Sequence, residues 1–77
     1  EISYVIYDTP YGNVLQIKND GDITIKAVNY TIDGEIHKNI IYLHPETSRS
    51  IIFSIHKDNA EMHITIDSIE LYQPWLL

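Results

Sequence analysis

No window of eleven or more residues in this chain places its apolar side chains at helical spacing, whereas alternation with a period of two recurs along most of its length. A chain patterned this way buries apolar side chains by pleating, so every segment must find partner strands to satisfy its backbone. Residue usage points the same way. Fifteen isoleucines and six tyrosines stand against five leucines and two alanines, a balance that suits a pleated, half-buried surface better than a helix.

Turn residues cut the alternation into six segments. Ile2 to Tyr7 stops at Asp8-Thr9-Pro10 and Gly12-Asn13, and Val14 to Lys18 runs into Asn19-Asp20-Gly21-Asp22. Ile23 to Ile32 ends at Asp33-Gly34, the strongest hairpin signal in the chain, and Glu35 to Leu43 returns from it. After the break at His44-Pro45-Glu46-Thr47-Ser48 come Ser50 to Lys57 and Met62 to Tyr72, joined by Asp58-Asn59-Ala60-Glu61. Six or seven short strands with turns every eight to twelve residues predict a β-sandwich or a small barrel. A symmetric loop between Asn59 and Ala60 would pair Phe53 with Ile66 and Ile55 with Ile64 on one face. It would pair Ser54 with Thr65 and Ile52 with Asp67 on the other, and set His56 opposite His63.

Two segments break phase. Ile23, Ile25 and Ala27 share one face, but Val28, Tyr30 and Ile32 fall on the other; in the last segment Ile64 and Ile66 are followed by Ile69 and Leu71. Such slips predict bulges, or a strand that passes between two sheets. The Asn19–Asp22 turn has two readings: a tight hairpin pairing Ile17 with Ile23, or an arch from one sheet to the other.

Size and charge exclude several classes. Seventy-seven residues form one small domain. A net charge of −6 opposes nucleic-acid binding, which needs a basic face. No apolar run exceeds four residues, as in Tyr4 to Tyr7, so no segment reads as a membrane-spanning helix. The absence of cysteine removes disulfides and thiolate chemistry. The chain begins at Glu1 rather than Met, which suggests a domain cut from a longer exported or membrane-anchored protein, with any membrane segment outside these residues.

The order of signals resembles a known group. Leu15 to Asp22 resembles the strand and "N-x-G" opening of small immunoglobulin-like domains on prokaryotic cell surfaces. Ile23 to Gly34 follows as a long strand closed by a D-G turn, and Ile40 to Ser48 is similar to the "i-x-L-x-P-G-x-S" element that precedes another strand. The succession is similar to FxLYD and CARDB domains and to the β-domains of archaeal pilin-like and archaellum stator proteins. It departs from them at Glu46, where those domains carry glycine, and it lacks the aromatic signature itself. The resemblance implies a non-catalytic structural or protein-binding domain, extracellular or at the cell surface, with no cofactor. Its partners would be a surface or filament protein, a second copy of itself, or both.

Candidate chemistry is sparse. His56 and His63, with Asp58 or Glu61, supply two placed ligands where zinc wants three or four, so no metal site is expected. His37 and His44 have no such partner. Asp20 with Asp22, and Asp58 with Glu61, lack the regular oxygen spacing of a calcium loop. Gly12, Gly21 and Gly34 stand alone and form no phosphate cradle, and no serine sits in a nucleophile elbow, so no catalytic activity is expected. Asn29-Tyr30-Thr31 is a glycosylation sequon lying mid-strand. Tyr4, Tyr7, Tyr11, Tyr42, Tyr72 and Trp75 raise a sugar-binding alternative, although they fall in both phases. The candidate interface is the apolar tail Trp75, Leu76 and Leu77, which follows a proline that cannot extend a central strand.

Overall fold

The computed structural model describes residues 1–53 and 62–74. Six antiparallel strands occupy them: β1 (Ile2–Thr9), β2 (Gly12–Asn19), β3 (Ile25–Ile32), β4 (Ile36–Leu43), β5 (Ser48–Phe53) and β6 (Ile64–Leu71). They form two three-stranded sheets, ordered β1-β2-β5 and β4-β3-β6, with no α-helix among the described residues. The two central strands, β2 and β3, carry most of the buried side chains. Leu15 and Ile17 meet Ile25, Val28, Tyr30 and Ile32 in one core, which Ile40, Leu43, Phe53 and Met62 complete.

Hairpins join strands within a sheet and arches join the sheets. The β1–β2 hairpin turns on Pro10-Tyr11, the β3–β4 hairpin on Asp33-Gly34-Glu35. Asp33 and Gly34 both adopt left-handed backbone, φ 53° and 73°, which is why a D-G pair sits there. Of the two readings of Asn19–Asp22, the arch is the one present: β2 ends in the first sheet and β3 begins in the second.

Asn19 holds that arch. Its buried side-chain amide donates to the carbonyls of Ile23 and Leu43, each at 2.9 Å, while its Oδ1 accepts from the Gly21 amide at 2.9 Å. Its backbone N–H donates to Thr47 O at 3.0 Å and its carbonyl accepts from Glu46 N at 2.9 Å. One residue therefore ties the β2–β3 arch to the β4–β5 arch, with its polar groups satisfied away from water. Glu46 has φ 60°, left-handed backbone that glycine adopts at no steric cost.

The expected pairing of the last two segments fails at Phe53–Ile66 and Ile52–Asp67, while Ser54, Ile55 and His56 lie outside the described residues. Phe53 pairs with Asn13 of β2, and Ile66 pairs with Tyr30 of β3, so β5 and β6 lie in different sheets. Face-to-face alternation cannot reveal this error, because strands of either sheet alternate in the same way. The described strands are also shorter than expected at two starts: Ile23 and Thr24 belong to the arch, and Met62 and His63 precede β6.

The phase breaks are real. Against β6, the register of β3 shifts between Ile25 and Ala27 and again between Asn29 and Tyr30. The second shift leaves Asp67 as the extra residue of β6, between Ile66 and Ser68. The bulge keeps Ile64, Ile66, Ile69 and Leu71 on the core side, as their spacing predicts. The β3 slip falls at Lys26 rather than after Ala27. There β3 and β4 turn over together: Ile25 faces Leu43 and Val28 faces Ile40, all buried, three residues apart on both strands. Tyr42 takes up the turn on β4 with φ 54°, a costly conformation for a bulky residue.

Candidate functional site

The outer faces of the two sheets differ in chemistry, although Ile41 is exposed on the β4-β3-β6 side as well. On the β4-β3-β6 sheet, the bulge swings the Asp67 carboxylate over β3, where it accepts a hydrogen bond from Thr31 Oγ1. His37 Nδ1 lies 3.0 Å from the same hydroxyl. A hydroxyl has one proton, and here it goes to the carboxylate, so the contact with the imidazole needs an Nδ1–H donor. Asn29 Nδ2 donates to Ser68 Oγ at 2.9 Å one row further along. Asn29, His37, Lys38, Asn39 and Asp67 line an open depression of about 420 Å³. Chemically this is a row of oriented donors and acceptors. The order Asp67–Thr31–His37 differs from a nucleophilic triad, in which the imidazole takes the hydroxyl proton.

The β1-β2-β5 sheet has the other character. Its registers run without a shift, so alternate residues point outward along all three strands. Tyr7, Val14 and Ile52 pair across the sheet in one row on that outer face. Val14 is 3% exposed, a floor between Tyr7 at 39% and Ile52 at 60%, and Val5 at 50% stands diagonally beside them. Among the outward side chains described on these strands only Lys18 is charged, and it sits at the arch end, 3.3 Å from Glu46 and 3.8 Å from Asp20.

The strand edges differ as well. Arg49 of β5 reaches across to β4, donating to the carbonyls of Ile41 at 2.8 Å and Tyr42 at 3.4 Å, and so braces the side where the two sheets' edges meet. On the opposite side β1 and β6 are the edge strands, with Tyr4, Ile69 and Leu71 half exposed.

Several sequence candidates resolve into turn chemistry. His63 is held through its backbone by Asp33, whose N–H donates to His63 O at 2.8 Å and whose Oδ1 accepts from His63 N at 3.0 Å. His44 Nδ1 contacts Thr24 Oγ1 at 3.2 Å within the arches. Asp20 faces the Lys18 ammonium rather than a cation site. No three His, Asp or Glu side chains converge as a metal site among the described residues. Of the aromatics, Tyr42 and Tyr72 pack edge to face, centroids 6.2 Å apart, while Tyr11 is exposed at the β1–β2 hairpin tip. The tyrosines are thus spread over both sheets and do not share a platform. His56, Asp58, Glu61 and the candidate interface Trp75, Leu76 and Leu77 lie outside the described residues.

The sequence reading missed two things. Asn19 reads as a turn former, and nothing local announces that it is buried among distant carbonyls. The apolar outer face was visible in the run Tyr4 to Tyr7, since four consecutive apolar residues must place two on each face. No family model, curated protein or solved structure matches this chain.

Proposed function

We propose that this chain is a non-catalytic structural or protein-binding domain of an extracellular surface assembly, pilus-like or archaellum-like, built as an immunoglobulin-like two-sheet module. The observation that carries the reading is the outer face of the β1-β2-β5 sheet. A chain of net charge −6 leaves Tyr7, Ile52 and Val5 exposed on a face whose only described charge is at one end. An apolar patch of this kind marks an interaction surface more often than a solvated one. Hairpins within sheets and arches between them support the module type. The resemblance of Leu15 to Ser48 to surface domains supports the location.

The test is a photo-cross-linking residue at position 52 in the intact protein on cells, with position 39 on the other sheet as the control. A discrete adduct from 52, absent from 39 and removed by protease shaving of whole cells, is the expected result. No adduct, or the same adducts from both positions, defeats the reading. Trp75→Ala in the same assay tests whether the tail joins the contact.

A second reading, a ligand- or carbohydrate-binding accessory domain, draws on the depression lined by His37, Asn39 and Asp67. Glycan-array binding that Asn39→Ala abolishes would favour it over the first.

A further inference from the structure

We infer that Asn29 is the acceptor of an N-linked sugar, attached while β3 is still unpaired and carried afterwards on the outer face of the β4-β3-β6 sheet. The inference goes beyond the protein-binding reading and rests on the surface location in it. Three observations carry it.

The first is position. Of the five asparagines, only Asn29 is followed two residues on by a serine or threonine. Asn13 and Asn19 are buried, whereas Asn29 is exposed in the middle of β3. Strand alternation turns Tyr30 into the core and puts Asn29 and Thr31 together on the outer face.

The second is room. Asn29 lies between Asn39 of β4 and Ser68 of β6, both short and uncharged. Its Nδ2 donates to Ser68 Oγ at 2.9 Å. Glycosylation replaces one of the two Nδ2 hydrogens, so the other can stay on Ser68 while the new bond turns toward β4. There the open depression of about 420 Å³ starts at Asn29 and is bordered by His37, Asn39 and Asp67. Donors and acceptors of that kind suit the hydroxyls of a first sugar ring. The chain's own sugar then fills the depression that the second reading assigns to a captured one.

The third is the state of Thr31. The acceptor motif requires its hydroxyl as well as the asparagine amide. In the finished sheet Thr31 is 7% exposed, and its Oγ1 donates to Asp67 and lies 3.0 Å from His37 Nδ1. A central strand with that hydroxyl engaged offers no acceptor, so transfer precedes the pairing of β3 with β4 and β6.

The transfer needs a membrane transferase and a lipid-linked sugar phosphate as donor. The bond from Asn29 Nδ2 to the sugar C1 forms as the bond from C1 to the phosphate oxygen breaks. The lipid phosphate leaves with the electron pair, the amide proton passes to a base of the transferase, and nothing is oxidised or reduced. A sugar at Asn29 keeps the β4-β3-β6 face in solvent. It leaves the apolar β1-β2-β5 face, on the other sheet, clear for a partner.

Mass spectrometry of the full chain, purified from the cells that make it, tests this. Cleavage after lysine releases Ala27 to Lys38, a peptide whose single asparagine is Asn29 and which excludes Asn39. The expected peptide is heavier by whole sugar residues attached at Asn29. Asn29→Gln and Thr31→Val should lose the added mass completely, while Thr31→Ser, which keeps a hydroxyl, should retain it. Circular dichroism checks that each variant folds, and Asn29→Gln alone decides the matter if Thr31→Val does not. Unmodified full chain, folded without export, should stay bare when mixed with membranes of the same cells. A bare Asn29, a sugar carried by Thr31 instead, or added mass that survives Asn29→Gln overturns the inference. Equal transfer to chain already folded overturns the order of events in it. If protease shaving of whole cells cleaves the chain and Asn29 is bare, the modification fails alone. If shaving leaves the chain intact and Asn29 is bare, the surface reading fails with it.

Discussion

The β1-β2-β5 sheet keeps one register from end to end, whereas the β4-β3-β6 sheet slips twice. The outer faces differ in step with that. In the slipped sheet the bulge at Asp67 turns Ile69 and Leu71 back toward the core and leaves Asp67 and Ser68 to bond Thr31 and Asn29 outside. The unslipped sheet has no such correction. Apolar residues of both phases in β1, such as Val5 and Ile6, fall on opposite faces, and the outward ones stay exposed. The bulge keeps Ile69 and Leu71 in phase with Ile64 and Ile66, although at the sheet's edge both stay about 40% exposed.

The sharpest way to break the contrast is to remove what holds the sheets in place relative to each other. Asn19→Ala deletes three side-chain hydrogen bonds and strands the Ile23 and Leu43 carbonyls. It should cost about 3 kcal/mol or more in urea denaturation. A loss below about 1 kcal/mol would mean that the arches are held by packing alone.

Deleting Asp67 comes next. Without the bulge, residues on one side of it must change face, so Ile69 and Leu71 turn outward or Ile64 and Ile66 do. Stability should fall by about 2 kcal/mol. Amide exchange should accelerate in β6 and β3 before it does in β1. Equal acceleration in both sheets would show that the slip is not a local device.

Tyr30 gives a smaller effect, confined to alkaline pH. Burial raises its phenol above the ordinary value of 10.0, so the folded chain keeps a proton that the unfolded chain loses. Its contribution is intact below pH 10 and is lost as pH rises through the raised value. Stability measured from pH 8 upward should decline past 10 more steeply than in Tyr30→Phe. Parallel curves would place the loss elsewhere.

The smallest effect belongs to the apolar face itself. Ile52→Thr keeps a β-branched residue on β5 and removes a side chain already 60% exposed, so monomer stability should change by less than about 0.5 kcal/mol. A larger loss would make the patch part of the core and remove the contrast between the faces.

Local chemistry was legible in the sequence and long-range assembly was not. Asp33-Gly34 marked its hairpin, and the three-residue step from Ile66 to Ile69 marked its bulge, because both signals lie within a few residues. Pairing Phe53 with Ile66 failed for the opposite reason. Neighbouring segments that alternate in phase look like a hairpin whether the chain returns to the same sheet or crosses to the other. The apolar face was implied by Tyr4 to Tyr7, but which phase would be outermost depended on β2 and β5. Glu46 shows a third case: its left-handed backbone, φ 60°, is one that the identity of the residue does not announce.

The Asn19 network also has a kinetic consequence. Its bonds to Gly21 and Ile23 span two and four residues, whereas those to Leu43, Glu46 and Thr47 close only after the β3–β4 hairpin has formed. The expected φ-value of Asn19→Ala is low, because its long-range bonds need that loop closed first. Asn19→Ala should then leave the refolding rate nearly unchanged and put its cost into faster unfolding. The residue acts as a latch on the finished fold and governs how long a folded molecule lasts.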